Sequence, residues 1–200
     1  MTILFDMVRT STFDPSAALT QVVDLFASRG YSETSMEDIV RATGISRYGL
    51  YGTFGSKREL FEKALDRYAD AMGKQNFLRL LEPGASLSDI RKIFEERIET
   101  MCCGQQPKGC LFVHTAMQLA PRDDDLRDVL QRFMKRIAKA FSIGLESAQE
   151  SGEVRADVDV REAGELLTSS LFGLAVLGRT GFSKESLYNI VDNTLALLKA

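Results

Sequence analysis

The chain has 200 residues, 44% of them hydrophobic and 26% charged, and a net charge of −3. That balance suits one medium or two small globular domains with a buried core. It excludes a polycation, so any nucleic-acid contact must come from a local patch. The three cysteines, Cys102, Cys103 and Cys110, are too few and too clustered for a secreted disulfide framework. The opening MTILFDMVRT has no basic start and an early Asp6, so it does not read as a secretion signal. The most apolar run, Leu166 to Leu177, contains Thr168, Ser169 and Ser170 and is too short to span a bilayer. These features predict a cytoplasmic protein with reduced thiols and no membrane partner.

The pattern along the chain is helical throughout. Strand-like alternation and solenoid repeats are absent. Asp14-Pro15 predicts the first helix, with Leu19, Val22, Val23 and Phe26 on its buried stripe and Gly30 at its end. Thr34 and Glu37 have capping-box spacing and predict a second helix with Ile39 and Val40 inward, stopped at Gly44. Ser46 caps a third helix reaching about Thr53, and Gly55-Ser56 turns the chain into a long fourth helix. Leu60, Phe61, Ala64, Leu65, Tyr68 and Met72 line one face of that helix. EPGAS, Glu82 to Ser86, is the clearest break in the chain. Beyond it the pattern predicts helices over Leu87–Met101, Cys110–Leu119, Leu126–Glu150, Val160–Leu177 and Lys184–Leu198, with GQQPKG as a loop. The last two are so apolar that they need a partner surface, from the chain's own core or from a second subunit.

Two short helices joined at Gly44, the second carrying basic and aromatic residues, form a helix-turn-helix. The second would enter a DNA major groove. From Ile39 to Arg58 there are four cations (Arg41, Arg47, Lys57, Arg58) and no acid, which predicts the local positive patch. Gly49 and Gly52 fall inside the predicted third helix, where each costs roughly 1 kcal/mol against alanine. A face pressed against DNA explains the missing side chains, Gly49 more than Gly52. Close packing on the first helix is the alternative.

Gly30 to Phe61, GYSETSMEDIVRATGISRYGLYGTFGSKRELF, resembles the DNA-binding domain of TetR-family regulators. The shared pattern is Thr34, Gly44-Ile45-Ser46, Leu50-Tyr51, Phe54, Ser56-Lys57 and Leu60. Thr53 stands where many members have His. The resemblance implies an all-α fold of about nine helices in three parts. Residues 1–56 would form the helix-turn-helix domain, 57–82 a connecting fourth helix, and 83–200 a ligand-binding and dimerisation domain. It implies that Thr34, Tyr51, Thr53 and Lys57 hold phosphates, and that Ser46, Arg47, Tyr48 and Gly49 lie against bases or nearby backbone. Arg47 and Tyr48 are the best candidates for reading base edges. The expected partners are a palindromic double-stranded operator, a second copy joined through the last two long helices, and a small inducer or oxidant. The resemblance favours a repressor and a non-enzyme. No cofactor is implied.

The same resemblance implies a cavity in the C-terminal part. Met101, Phe112, His114, Met117, Phe133 and Phe172 are candidate lining residues, joined by Phe94, Met134 and Phe141, although each also reads as ordinary core. Gly109-Cys110-Leu111 resembles the helix start of TetR-like repressors that sense oxidants or electrophiles, with Cys102 placed upstream as in that subgroup. A thiol at a helix start near Lys108 favours thiolate. A buried structural cysteine is the competing reading. Cys110 and His114 stand at i, i+4, but no second ligand pair completes a metal site. Two other classes remain: a small helical thiol-dependent redox enzyme using Cys102, Cys103 and Cys110, and a helical dimer that binds proteins.

Overall fold

The computed structural model describes residues 13–73, 77–102 and 109–200. Cys103, Lys108 and most of the predicted GQQPKG loop lie outside the described residues. Helix α1 (Pro15–Arg29) starts as its sequence requires: the Asp14 carboxylate accepts from the Ser16 N–H at 2.8 Å and Pro15 takes the first position. Helix α2 (Met36–Thr43) begins one residue later than the Thr34 box implies. The Thr34 hydroxyl is wholly buried and donates to the Gly30 carbonyl at 2.7 Å, so Ser35 and Asp38 form the capping box instead. Both pairs fit the spacing, and the turn after α1 claims Thr34 first. Gly44, left-handed at φ 70°, closes α2.

Ser46 caps α3 (Arg47–Phe54), and a Ser56–Glu59 capping box opens α4 (Lys57–Met72). Then follow α5 (Leu87–Cys102), α6 (Leu111–Gln118), α7 (Asp124–Glu150, capped by Asp123), α8 (Val160–Arg179, capped by Asp159) and α9 (Lys184–Ala196). Short 3-10 turns lie at Leu78–Leu81 and Ala120–Arg122. The one extended feature among the described residues is a bridge between Val154 and Lys199, which ties the end of α7 to the C-terminal residues.

In the N-terminal head, Val22, Phe26, Ile39, Leu50, Phe54, Leu60 and Phe61 are buried together. Phe61 meets Phe26 edge-on at 5.1 Å between ring centroids and Tyr31 at 4.9 Å. Helix α4 then leaves the head, and its Tyr68 packs on Phe112 of α6 at 5.3 Å. In the body α7 and α8 form the most extensive helix pair. Gly164 permits their approach: a methyl group there would fall 2.5 Å from Ser142 Oγ and 2.6 Å from the Ala138 carbonyl.

Polar contacts join head to body. Arg58 of α4 pairs with Asp123, the cap of α7. Arg179 of α8 donates to the Ser28 carbonyl of α1 at 2.9 Å and lies 2.9 Å from His114 Nε2. Arginine only donates, so His114 must present a neutral nitrogen. Burial, with Arg179 beside it, holds this imidazole below the usual histidine range. The unfolded chain therefore takes up its proton first, at about pH 6.5. Stability rises with pH where the unfolded state holds more protons, so this contribution is lost as pH falls below that value. The melting temperature should drop between pH 7 and 5.5, and His114→Gln should flatten the drop. Equal drops in the two proteins would contradict this role for His114.

Candidate nucleic-acid interface

Helix α3 divides its residues cleanly. Leu50 and Phe54 enter the core, and Ser46, Arg47, Tyr48, Tyr51, Gly52 and Thr53 are exposed. Tyr48 is 85% exposed and Tyr51 39%, so neither is a core aromatic. The Ser46 hydroxyl accepts from the Gly49 N–H at 3.1 Å, which fixes the helix start. Arg47 lies 5.7 Å from the Tyr51 ring centroid, giving a stacked pair at the centre of the surface.

The two glycines exchange roles relative to the sequence expectation. A Cβ on Gly49 would press on Ile45 Cγ2 at 3.1 Å and Ser46 Oγ at 3.3 Å, with Phe13 beyond, so internal packing accounts for it. A Cβ on Gly52 would meet nothing within 4 Å. Gly52 is the glycine that leaves bare backbone on the outer surface.

The positive patch is largely matched within the chain. Arg47 pairs with Glu37 at 2.6 Å, Arg41 with Asp38 at 3.7 Å, and Arg58 with Glu62 and Asp123. Glu37 and Asp38 stand just before the acid-free window, and the turn at Gly44 folds α2 back so that Glu37 meets Arg47. Exposed pairs of this kind are worth at most about 1 kcal/mol, so Arg47 can exchange Glu37 for a phosphate or base at little cost. Lys57 is half-buried: its ammonium donates to the Tyr31 carbonyl at 2.8 Å and sits 4.2 Å from the Tyr31 ring centroid. Burial holds it below the usual lysine range. Its remaining N–H groups are free to meet a phosphate, whereas the buried Thr34 hydroxyl cannot, which corrects the role expected of that side chain.

The C-terminal candidates do not converge on one cavity. Met101 and Phe112 are core, Phe112 stacking on Phe133 at 3.9 Å, and Met101 packs beside Gly178. Phe172 packs half-buried against the core, and Phe94 and Phe141 stack on each other. Met117 is 77% exposed. Of the predicted set, Phe133 lines a cavity of about 360 Å³ between α4 and α7, and Met134 lines a separate one of about 390 Å³ between α7 and α8. Cys102 is exposed and Cys110 buried. The Cys110 sulfur accepts from the Tyr68 hydroxyl at 3.6 Å, and His114 turns to Arg179. Among the described residues Cys110 has no base beside it, which counts against the thiol-enzyme reading. Among the described residues no group of three potential ligands surrounds a metal position.

The α3 geometry separates two substitutions. Gly52→Ala should raise the melting temperature, since alanine gains about 1 kcal/mol in a helix interior, and should weaken DNA binding. Gly49→Ala should lower the melting temperature. Unchanged DNA affinity in the Gly52 variant would remove that face from the interface.

Comparison with known proteins agrees with this geometry. Residues 19–64 match the family described as bacterial regulatory proteins, tetR family, and residues 86–187 match the tetracyclin repressor-like C-terminal domain. The chain is 30% identical over 193 residues to the uncharacterized HTH-type regulator YezE of Bacillus subtilis, covering 96% of this chain and 100% of that one. It is also 30% identical to the HTH-type transcriptional repressor ComR of Escherichia coli, covering 94% and 90%. Among solved structures, a cysteine mutant of the TetR-family regulator CifR complexed with 26-bp operator DNA superposes with a TM-score of 0.82 at 27% identity, over 95% of this chain and 99% of that one. With one match across the head, another across half of the chain, and relatives aligned almost end to end, the chain belongs to the TetR family of transcriptional regulators.

Proposed function

We propose that the protein is a one-component repressor that grips a palindromic operator as a homodimer and leaves it when its C-terminal part takes up a small ligand or is modified at a thiol. The observation that carries this reading is the outer face of α3, where Tyr48, Tyr51 and Thr53 project from a helix whose opposite side is fully committed to the core. Aromatic and arginine side chains held out this way take no part in the core and suit a groove. The similarity to an operator-bound CifR structure and to a named repressor, ComR, supports the same conclusion.

A second copy is supported by the outer faces of α8 and α9. Leu166, Ser169, Gly173 and Val176 form an exposed stripe at helical spacing on α8, and Phe182 after α8 and Leu197 at the end of α9 are exposed as well. Small residues between apolar ones let another helix approach closely. Phosphate contacts would come from Tyr51, Thr53 and Lys57, with Ser46, Arg47 and Tyr48 nearest the bases. Release by thiol chemistry has a physical route, since a group added to the Cys110 sulfur would compete with the Tyr68 hydroxyl of α4 for the same space. No helix among the described residues is long and apolar enough to cross a membrane. We place the protein with the DNA, in the cytoplasm.

The test is fluorescence anisotropy on the DNA upstream of the protein's own gene across a salt series. Binding should be specific and weaken steeply with salt. Arg47→Ala or Tyr48→Ala should lose about 1–3 kcal/mol of sequence discrimination with the fold intact. Unchanged operator preference in both variants would sink the assignment.

A further inference from the structure

Among the described residues only two buried side-chain polar atoms lack a hydrogen-bond partner, Arg97 Nη2 and Gln118 Oε1. The first is the more telling, because it belongs to a charge. Arg97 projects from α5, and its Nη1 donates to the Tyr68 hydroxyl at 3.3 Å. Its other polar neighbour is the thiol of Cys110, and it has no carboxylate partner among the described residues, although Arg91 on the same helix has both Glu95 and Asp192. A guanidinium removed from water without an anion is strongly disfavoured, and such a group calls for an explanation. Tyr68 cannot supply the negative charge: burial pushes its phenol well above the usual range.

Arg97 and Tyr68 line a cavity of about 900 Å³ between α4 and α5, with Met72, Thr100 and Tyr188 also in its walls. Three glutamates and Lys92 reach the same cavity. Glu95 is paired with Arg91 at 3.3 Å, Glu99 with Lys184 at 2.5 Å, and Lys92 with Asp89 at 3.6 Å. Of the two cations lining the cavity, Arg97 is the one without an ion pair among the described residues, and Glu96 likewise has none.

We propose that this cavity is an anion subsite in which Arg97 takes the carboxylate of a small organic acid; this rests on reading the protein as a ligand-responsive repressor. Guanidinium N–H groups recognise a carboxylate through charge-assisted hydrogen bonds. The glutamates around the cavity disfavour a dianion such as phosphate, and Met72 and Tyr188 suit an organic body. Since Tyr68 and Met72 belong to α4, an occupant here bears on the helix that carries the head.

The probe is benzoate, with benzamide as its neutral counterpart, read by thermal unfolding and by anisotropy on the upstream DNA. Benzoate in the millimolar range should raise the melting temperature of the wild-type protein, and benzamide should not. Arg97→Met should melt no lower than wild type without additive, because an unpaired buried charge is gone, and should respond to benzoate about tenfold more weakly or less. Arg97→Lys, which keeps the charge but not the guanidinium, should fall between them and serves if the methionine variant does not fold. No wild-type response, an equal response to benzamide, or a full response in both variants would overturn the subsite. Specific DNA binding without a benzoate response defeats the subsite alone, whereas a wild-type protein that ignores its upstream DNA defeats the repressor reading.

Discussion

The orientation of α4 depends on one aromatic contact. Phe61 is wedged between Phe26 of α1 and Tyr31 of the following turn, and Lys57 lies over the outer face of Tyr31. The wedge sets the angle at which α4 leaves the head. Leu50 and Phe54 bury α3 in the same core, so that angle also sets where Tyr48 and Tyr51 point. Farther along, Tyr68 of α4 meets Phe112, Cys110 and Arg97. A single helix is thus shared by the surface that faces outward and by the polar cluster in the body. Rigid elements with two ends in different environments are what couple distant sites.

Electrostatics at the head follow from the chain's modest acidity. The arginines near α3 do not stand as a bare patch but rest against Glu37, Asp38, Glu62 and Asp123. Such pairs lower the field felt at a distance while leaving the arginines available at contact. Nonspecific attraction to DNA is weakened more than a docked complex would be, which favours discrimination over general affinity. The Arg58–Asp123 pair serves a different end, since it fastens the start of α4 to the start of α7.

Much of this was legible in the residues. Asp14-Pro15, Gly44, Ser46 and Ser56 mark helix ends because caps are local chemistry, and most boundaries fell within a residue or two of those signals. The slip at α2 arose because Thr34-x-x-Glu37 and Ser35-x-x-Asp38 satisfy the same rule, and only the burial of Thr34 separates them. The exposed set on α3 was readable from its motif, but the reason for Gly49 was not, since it depends on Ile45 and Phe13 in space. The features of the body were least legible. Arg58 and Asp123 are 65 residues apart and Arg179 reaches a carbonyl 151 residues away, so no local pattern announces them. Arg97 looks like any surface arginine of an amphipathic helix until its surroundings are known. The aromatic and methionine residues named as candidate pocket lining also read as ordinary core, and most of them are packing in the structure, as apolar residues at helical spacing usually are.

The reading of α3 as the DNA-facing surface of a two-fold dimer is tested most directly by hydroxyl-radical footprinting on the upstream DNA. It predicts two protected patches, symmetric about a dyad and separated by about 10 base pairs or a multiple of that turn. A single unpaired patch, or uniform protection without a preferred sequence, would contradict it.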